Sequence, residues 1–118
     1  HWVGFYLVDA VEDNLVLGPF QGPVACTRLH RGKGVCAAAW ESGTTQVVTD
    51  VHAFPGHVAC SSSSMSELVL PVRNGLGEVV AVWDLDSAEP ADFGPEDVQA
   101  MEALTAMLEE RWSTWRWS

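Results

Sequence analysis

The chain has 118 residues, of which 47% are apolar, which is enough for one packed domain but too little for two. Sixteen acidic and six basic residues give a net charge of −10, so most of the surface would repel nucleic acid. No apolar run approaches the roughly 18 residues that span a bilayer, and no secretory signal is present in this sequence. We therefore expect a protein that binds neither nucleic acid nor a membrane.

The first part of the chain predicts a strand hairpin, a loop and a short helix. Residues 2–9 are aromatic and β-branched, as a strand requires, and residues 15–20 predict the strand that returns beside them. Residues 21–34 are rich in Gly, Pro and Arg and predict a loop. Three alanines favour a helix over residues 35–41, which Gly43 is suited to end.

The next part predicts a long loop and a second hairpin. Residues 45–48 predict a short strand. Residues 49–66 lack any hydrophobic period, and a loop of that length inside a compact domain is usually functional. Strands predicted over residues 67–72 and 78–85 flank an Asn-Gly pair, which is a strong hairpin signal.

The last predicted element is an amphipathic helix. Gly94 suits its N-cap and Pro95 its first helical position. Its apolar stripe comprises Val98, Met101, Leu104, Ala106, Leu108 and Trp112. This order of elements predicts an α+β fold: an antiparallel sheet of about five strands, helices packed on it, and a loop-capped face that could hold a small ligand.

The three cysteines, Cys26, Cys36 and Cys60, lie in or beside predicted loops. They are odd in number and too few for a secreted disulfide framework, which favours a reducing compartment and so the cytoplasm. Cys36 opens the predicted short helix, where the helix dipole should lower the pKa of its thiol. Buried inert thiols are the ordinary alternative, but three thiols in such segments favour a function.

A zinc-binding module is the obvious competitor. His30, His52 and His57 flank the same loops as the cysteines and could supply imidazole ligands. Closed structural zinc sites usually take two ligands from one tight knuckle, and the cysteine spacing provides none. We therefore expect no metal and no other cofactor.

A second group of reactive side chains consists of Glu67, Asp84 and Asp86. Asp84 and Asp86 are two residues apart on one strand, so they share a face, and Glu67 lies near the same end of the hairpin. Carboxyl groups crowded together often have a raised pKa and then act as proton donors at neutral pH. The alternative is a solvated acidic rim.

Several segments together resemble the free methionine-(R)-sulfoxide reductase family. They are WVGFYL, LVLGPFQGPVACTR, GKGVC, VTDVHAFPGHVACSSSSMSE and DLDS, in that order along the chain. DVHAFPGHVAC is the most distinctive of them, and the match runs from residue 2 to about residue 105 with all three family cysteines in place. The family adopts the GAF fold, which agrees with the predicted layout.

The resemblance implies a thiol mechanism. Cys60 matches the thiol that attacks the sulfoxide, which becomes a sulfenic acid. Cys26 and Cys36 match the two further cysteines that form disulfides or support recycling, and the sequence does not decide which of them resolves the sulfenic acid. The reductant implied is a dithiol protein such as thioredoxin.

The resemblance also implies how free methionine-(R)-sulfoxide is bound. Glu67, Asp84 and Asp86 match the acids that hold the substrate ammonium and protonate the sulfoxide oxygen. Trp2 and Tyr6 match the aromatic wall around the substrate methyl group. Backbone N–H groups in the serine stretch that includes Ser61 and Ser62 could bind the substrate carboxylate.

Two organisational expectations follow from the resemblance. Family members carry helical sequence ahead of the first strand, so we expect residues 1–118 to be a single GAF domain without that segment. The family also tends to dimerise. The principal alternative function is a non-catalytic GAF sensor that binds a small ligand, and such a sensor would need neither the three cysteines nor the adjacent acids.

Overall fold

A computed structural model describes residues 2–23, 25–56 and 64–112 of the chain. Its strands are β1 (Trp2–Asp9), β2 (Asn14–Gln21), β3 (Arg28–Leu29), β4 (Gln46–Val48), β5 (Ser66–Arg73) and β6 (Val79–Ser87). Its helices are α1 (Gly34–Ser42) and α2 (Pro95–Arg111), with a 3₁₀ turn at Val51–Ala53. The strands form one sheet in the order β3-β2-β1-β6-β5-β4, and each neighbouring pair is antiparallel. No helix within these ranges is long and apolar enough to cross a membrane.

The two faces of the sheet pack against different helices, because successive residues of a strand point to opposite sides. Trp2 and Tyr6 of β1 and Val82 of β6 lie in the buried core together with residues of α1. Leu70 and Val72 of β5 alternate to the opposite face, where α2 packs on that strand. The face beneath α1 is therefore the one that continues to the acidic ends of β5 and β6.

Turn and cap residues act as the sequence predicts, and the α+β class is confirmed. Gly43 ends α1 in the left-handed region, with a φ of 67° that favours glycine. Gly94 precedes Pro95 at the start of α2, and its N–H donates to the carboxylate of Asp97. The side-chain oxygen of Asn74 accepts two backbone N–H groups and so closes the turn between β5 and β6.

The sheet has six strands rather than about five. The additional strand, β3, lies inside the segment predicted to be a loop and has only two residues. The guanidinium of Arg28 in β3 donates to Asp9 and Asn14, and these contacts attach the segment to the first hairpin. Two residues are too few to show the alternation of apolar and polar side chains that marks a strand in a sequence. Only the pairing with β2 in the folded sheet identifies this strand.

The apolar stripe predicted for α2 is partly wrong. Leu104 and Ala106 are exposed, whereas Thr105 is buried. The hydroxyl of Thr105 donates to the carbonyl of Met101 one turn earlier, which satisfies the buried polar group. Because α2 packs mainly on a single strand, β5, its buried face is narrower than the sequence stripe suggested.

Candidate active site

Three carboxyl groups meet at one end of the sheet, on the face covered by α1. Asp84 and Asp86 alternate along β6, and Glu67 of β5 is the register partner of Asp86. Glu67 and Asp84 are only 8% and 5% exposed. The structure thus places Glu67, which was expected near the same end of the hairpin, beside the two acids that sequence alternation put on one face.

Burial and mutual repulsion favour the protonated forms of two of these acids. Loss of hydration raises the pKa of Asp84 well above its usual range, and the neighbouring Glu67 raises it further. The same two causes, in the same order, raise the pKa of Asp86 to about 8. A carboxyl with such a pKa holds its proton at neutral pH and can donate it to a bound ligand.

Cys36 of α1 is buried against these acids. Its Sγ lies 3.9 Å from Oε2 of Glu67, within donating distance for a thiol. Burial raises the pKa of this thiol well above its usual value, and the charges of Asp84 and Glu67 raise it further. The predicted lowering of this pKa by the helix dipole is therefore wrong, because desolvation and the adjacent acids outweigh the dipole of a nine-residue helix.

An aromatic wall stands beside the acids on β1. The rings of Trp2 and Tyr6 are stacked with centroids 6.1 Å apart, and Trp2 also stacks on Phe20 at 5.7 Å. The indole N–H of Trp2 donates to the carbonyl of Pro23. Sequence reasoning missed Phe20, although Gly4 gave a signal: a glycine inside a strand often marks a close approach, and Gly4 pairs with Phe20.

The two described cysteines are in different states. Cys26 is disulfide-bonded, whereas Cys36 is a free, buried thiol. The hydroxyl of Tyr6 donates to the carbonyl of Cys26 at 2.8 Å, which connects the aromatic wall to this cysteine. The predicted nucleophile Cys60 and the predicted carboxylate-binding residues Ser61 and Ser62 lie outside the described residues.

Two buried serines that sequence reasoning missed hold the strand ends beside the acids. Ser66 and Ser87 are register partners that immediately precede Glu67 and follow Asp86, respectively. The Ser66 hydroxyl donates to the backbone carbonyl of Glu89 at 2.6 Å. The Ser87 hydroxyl donates to the carboxylate of Asp92, farther along the loop that follows β6. Both hydrogen bonds therefore fasten this loop to the sheet.

A cleft of about 370 Å³ opens at this end of the sheet. Its lining includes Trp2, Gln21, Asp86, Ser87 and Phe93. A cleft of this size is at the lower end of the range for small-molecule sites, which suits a ligand as small as an amino acid. A small ligand bound in this cleft would lie beside both an aromatic ring and a proton-holding acid.

Within the described ranges, one group of side chains has the geometry to hold a metal ion. Cys36, Glu67 and Asp84 each offer one donor atom, and these atoms all lie within 4.8 Å of one another. The group contains no histidine: His52 pairs instead with Asp50 in an exposed contact of 3.3 Å. The zinc ligand set considered from the sequence is thus not the set that the fold assembles in this part of the chain.

An antiparallel sheet with a small-ligand cleft beside its strand ends and helices on its faces is the architecture of a GAF domain, and the GAF domain family matches residues 2–108. The chain is 51% identical to the free methionine-R-sulfoxide reductase of Neisseria meningitidis, whose structure was solved in complex with its substrate. That comparison has a TM-score of 0.91 and covers 95% of this chain and 66% of the other.

Two curated relatives are also similar to most of the chain. The free methionine-R-sulfoxide reductase of Escherichia coli is 46% identical over 112 residues, which are 93% of this chain and 65% of that protein. GAF domain-containing protein A of Dictyostelium discoideum is 49% identical over 108 residues, 92% of this chain and 67% of that protein. The chain belongs to the free methionine-(R)-sulfoxide reductase family of GAF domains, and it spans about two-thirds of the length of these relatives.

Proposed function

We propose that the chain reduces the (R)-sulfoxide of free methionine by thiol chemistry. One observation carries the proposal: buried carboxyl groups that hold protons at neutral pH adjoin both an aromatic wall and the cysteine-bearing segments. A sulfoxide sulfur is a weak electrophile until its oxygen is protonated, so its reduction requires an acid and a thiolate together. The family relationship supports the same reaction.

The proposed first step transfers oxygen from methionine sulfoxide to sulfur of the enzyme. Asp86, whose pKa is about 8, supplies a proton to the sulfoxide oxygen. The Cys60 thiolate attacks the substrate sulfur, and the protonated oxygen then passes to the Cys60 sulfur as the substrate S–O bond and the transient S–S bond both break, so methionine leaves and Cys60 becomes a sulfenic acid. The substrate sulfur is reduced by two electrons and Cys60 is oxidised by two.

In the second step we assign the resolving thiol to Cys26. Its thiolate attacks the sulfenic sulfur, a disulfide forms, and water leaves. Two observations support this choice over Cys36: Cys26 is disulfide-bonded, and Cys36 is free with a raised pKa that disfavours its thiolate. A dithiol protein of the thioredoxin type then reduces the disulfide and returns both thiols.

Selectivity for the free amino acid follows from charge pairing. The cluster offers three carboxyl groups side by side, so one of them can pair with the substrate ammonium while Asp86 keeps its proton. Methionine within a peptide has no ammonium group and would leave that buried acid unpaired. Trp2 and Tyr6 contact the methyl group, and backbone N–H groups at Ser61 and Ser62 bind the carboxylate.

The test is stereospecific turnover. Racemic free methionine sulfoxide is incubated with the chain, thioredoxin, thioredoxin reductase and NADPH, and the two isomers are separated by chiral chromatography. The (R) isomer should disappear and the (S) isomer remain. Loss of both isomers, or of neither, contradicts the proposal.

Three variants separate the enzyme from a sensor. Cys60→Ser should abolish turnover yet keep ligand binding, measured by calorimetry with methionine sulfoxide. Cys26→Ser should release about one methionine per chain and then stop, because the sulfenic acid has no resolving thiol. Glu110→Gln, which changes an exposed acid on α2, the helix on the opposite face of the sheet, is the matched control and should retain turnover. Unchanged multiple turnover by Cys26→Ser would contradict the assignment of this residue.

A further inference from the structure

We propose that Cys36, Glu67 and Asp84 form a binding site for a thiophilic divalent cation of the zinc class. The three side chains come from α1, β5 and β6, so the fold and not a local motif assembles them. Their donor atoms lie within 4.8 Å of one another, and all three residues are more than nine-tenths buried. The binding itself does not depend on the reductase proposal.

An unpartnered atom points to a ligand at this position. Oδ1 of Asp84 is buried and accepts no hydrogen bond within the described part of the chain. A buried carboxyl oxygen without a partner is costly, and a bound cation or a ligand donor would satisfy it. Cys36 is also a free thiol, so its sulfur is available to a metal while Cys26 is held in a disulfide.

The distances and donor types select the cation. A tetrahedral zinc ion with Zn–S near 2.3 Å and Zn–O near 2.0 Å separates the sulfur and oxygen by roughly 3.5 Å. The observed 3.9 Å between Sγ of Cys36 and Oε2 of Glu67 needs to shorten by only a few tenths of an ångström. Mg²⁺ and Ca²⁺ prefer six or more oxygen ligands and no sulfur, so this donor set disfavours them.

Binding replaces protons by the cation. The thiol proton of Cys36 is released as its sulfur bonds the metal, and any proton on Asp84 leaves as its oxygen does the same. Cation binding should therefore tighten as the pH rises, since fewer protons compete. If the reductase proposal is correct, the cation also removes Glu67 and Asp84 from the substrate and so inhibits turnover.

The experiment uses Co²⁺ as the probe and the disulfide form of the chain, in which Cys26 offers no thiol. Titration should give one bound Co²⁺ per chain, with a thiolate-to-cobalt charge-transfer band in the near ultraviolet. Cys36→Ser should lose the band, and Asp84→Asn should weaken binding at least about ten-fold, by analogy with the loss of other metal-supporting groups. Asp50→Asn, which alters an exposed acid, should bind as wild type does.

Absence of the band in wild type, or its persistence in Cys36→Ser, overturns the proposal, as does unchanged affinity in Asp84→Asn. Circular dichroism shows whether each variant folds. If one does not, the wild-type chain is treated with a thiol alkylating reagent with and without Zn²⁺, and labelling of Cys36 is measured by peptide mass spectrometry. Zinc should slow this labelling, and equal labelling in both samples refutes the site. A chain that binds Co²⁺ but lacks reductase activity would contradict only the proposed function.

Discussion

Replacing Asp86 by Asn should flatten the pH dependence of folding stability. The pKa of Asp86 is about 8 in the folded chain and 3.8 without its surroundings. Between these values the folded state holds a proton that the unfolded state has released. The contribution of this carboxyl to the free energy of unfolding is therefore fully present below pH 3.8, and it is lost as the pH rises from there through 8. Asn cannot ionise, so Asp86→Asn removes this loss while keeping the size of the side chain.

The expected magnitude follows from the size of the pKa change. Each pH unit inside that window costs at most about 1.4 kcal/mol of unfolding free energy, or about 4 kcal/mol from pH 5 to pH 8. Asp86 is only half-buried and retains some contact with solvent, so we expect about half of that ceiling. Wild type should lose ~2 kcal/mol more than Asp86→Asn over this range.

Urea denaturation followed by tryptophan fluorescence at pH 5, 6.5 and 8 measures the effect, since the chain contains six tryptophans. Glu110→Gln is the control: it also removes one acid, but an exposed one on α2 outside the cluster, and should keep the wild-type slope. Parallel pH profiles for wild type and Asp86→Asn would refute the reasoning that burial and Glu67 hold a proton on this carboxyl.

Two further substitutions test the aromatic wall. Gly4→Ala places a Cβ 2.5 Å from the Trp2 ring and should lower the unfolding free energy by about 1–3 kcal/mol in urea titrations, while Gly75→Ala, with nothing within 4 Å, should change it little. Equal stabilities of these two variants would contradict the close approach. Tyr6→Phe removes the O–H that donates to the carbonyl of Cys26 and should cost about 1 kcal/mol by the same assay; an unchanged midpoint would show that the hydrogen bond contributes nothing net.

Local chemistry made much of the fold predictable. The turn at Asn74, the left-handed Gly43 and the start of α2 at Pro95 depend on backbone preferences of single residues, which neighbours along the chain decide. The shared face of Asp84 and Asp86 follows from strand alternation alone. The family resemblance supplied candidate roles for residues that no periodicity distinguishes from ordinary polar positions.

Long-range packing decided the chemistry of the site. Cys36 and Glu67 are 31 residues apart, and only the packing of α1 on the sheet brings them within 3.9 Å. That burial reverses the direction expected for the pKa of Cys36, because desolvation depends on what covers a side chain and a sequence pattern does not contain that information. The sequence alone thus determined which residue types face the pocket, whereas the tertiary structure determined which of them touch and which hold a proton.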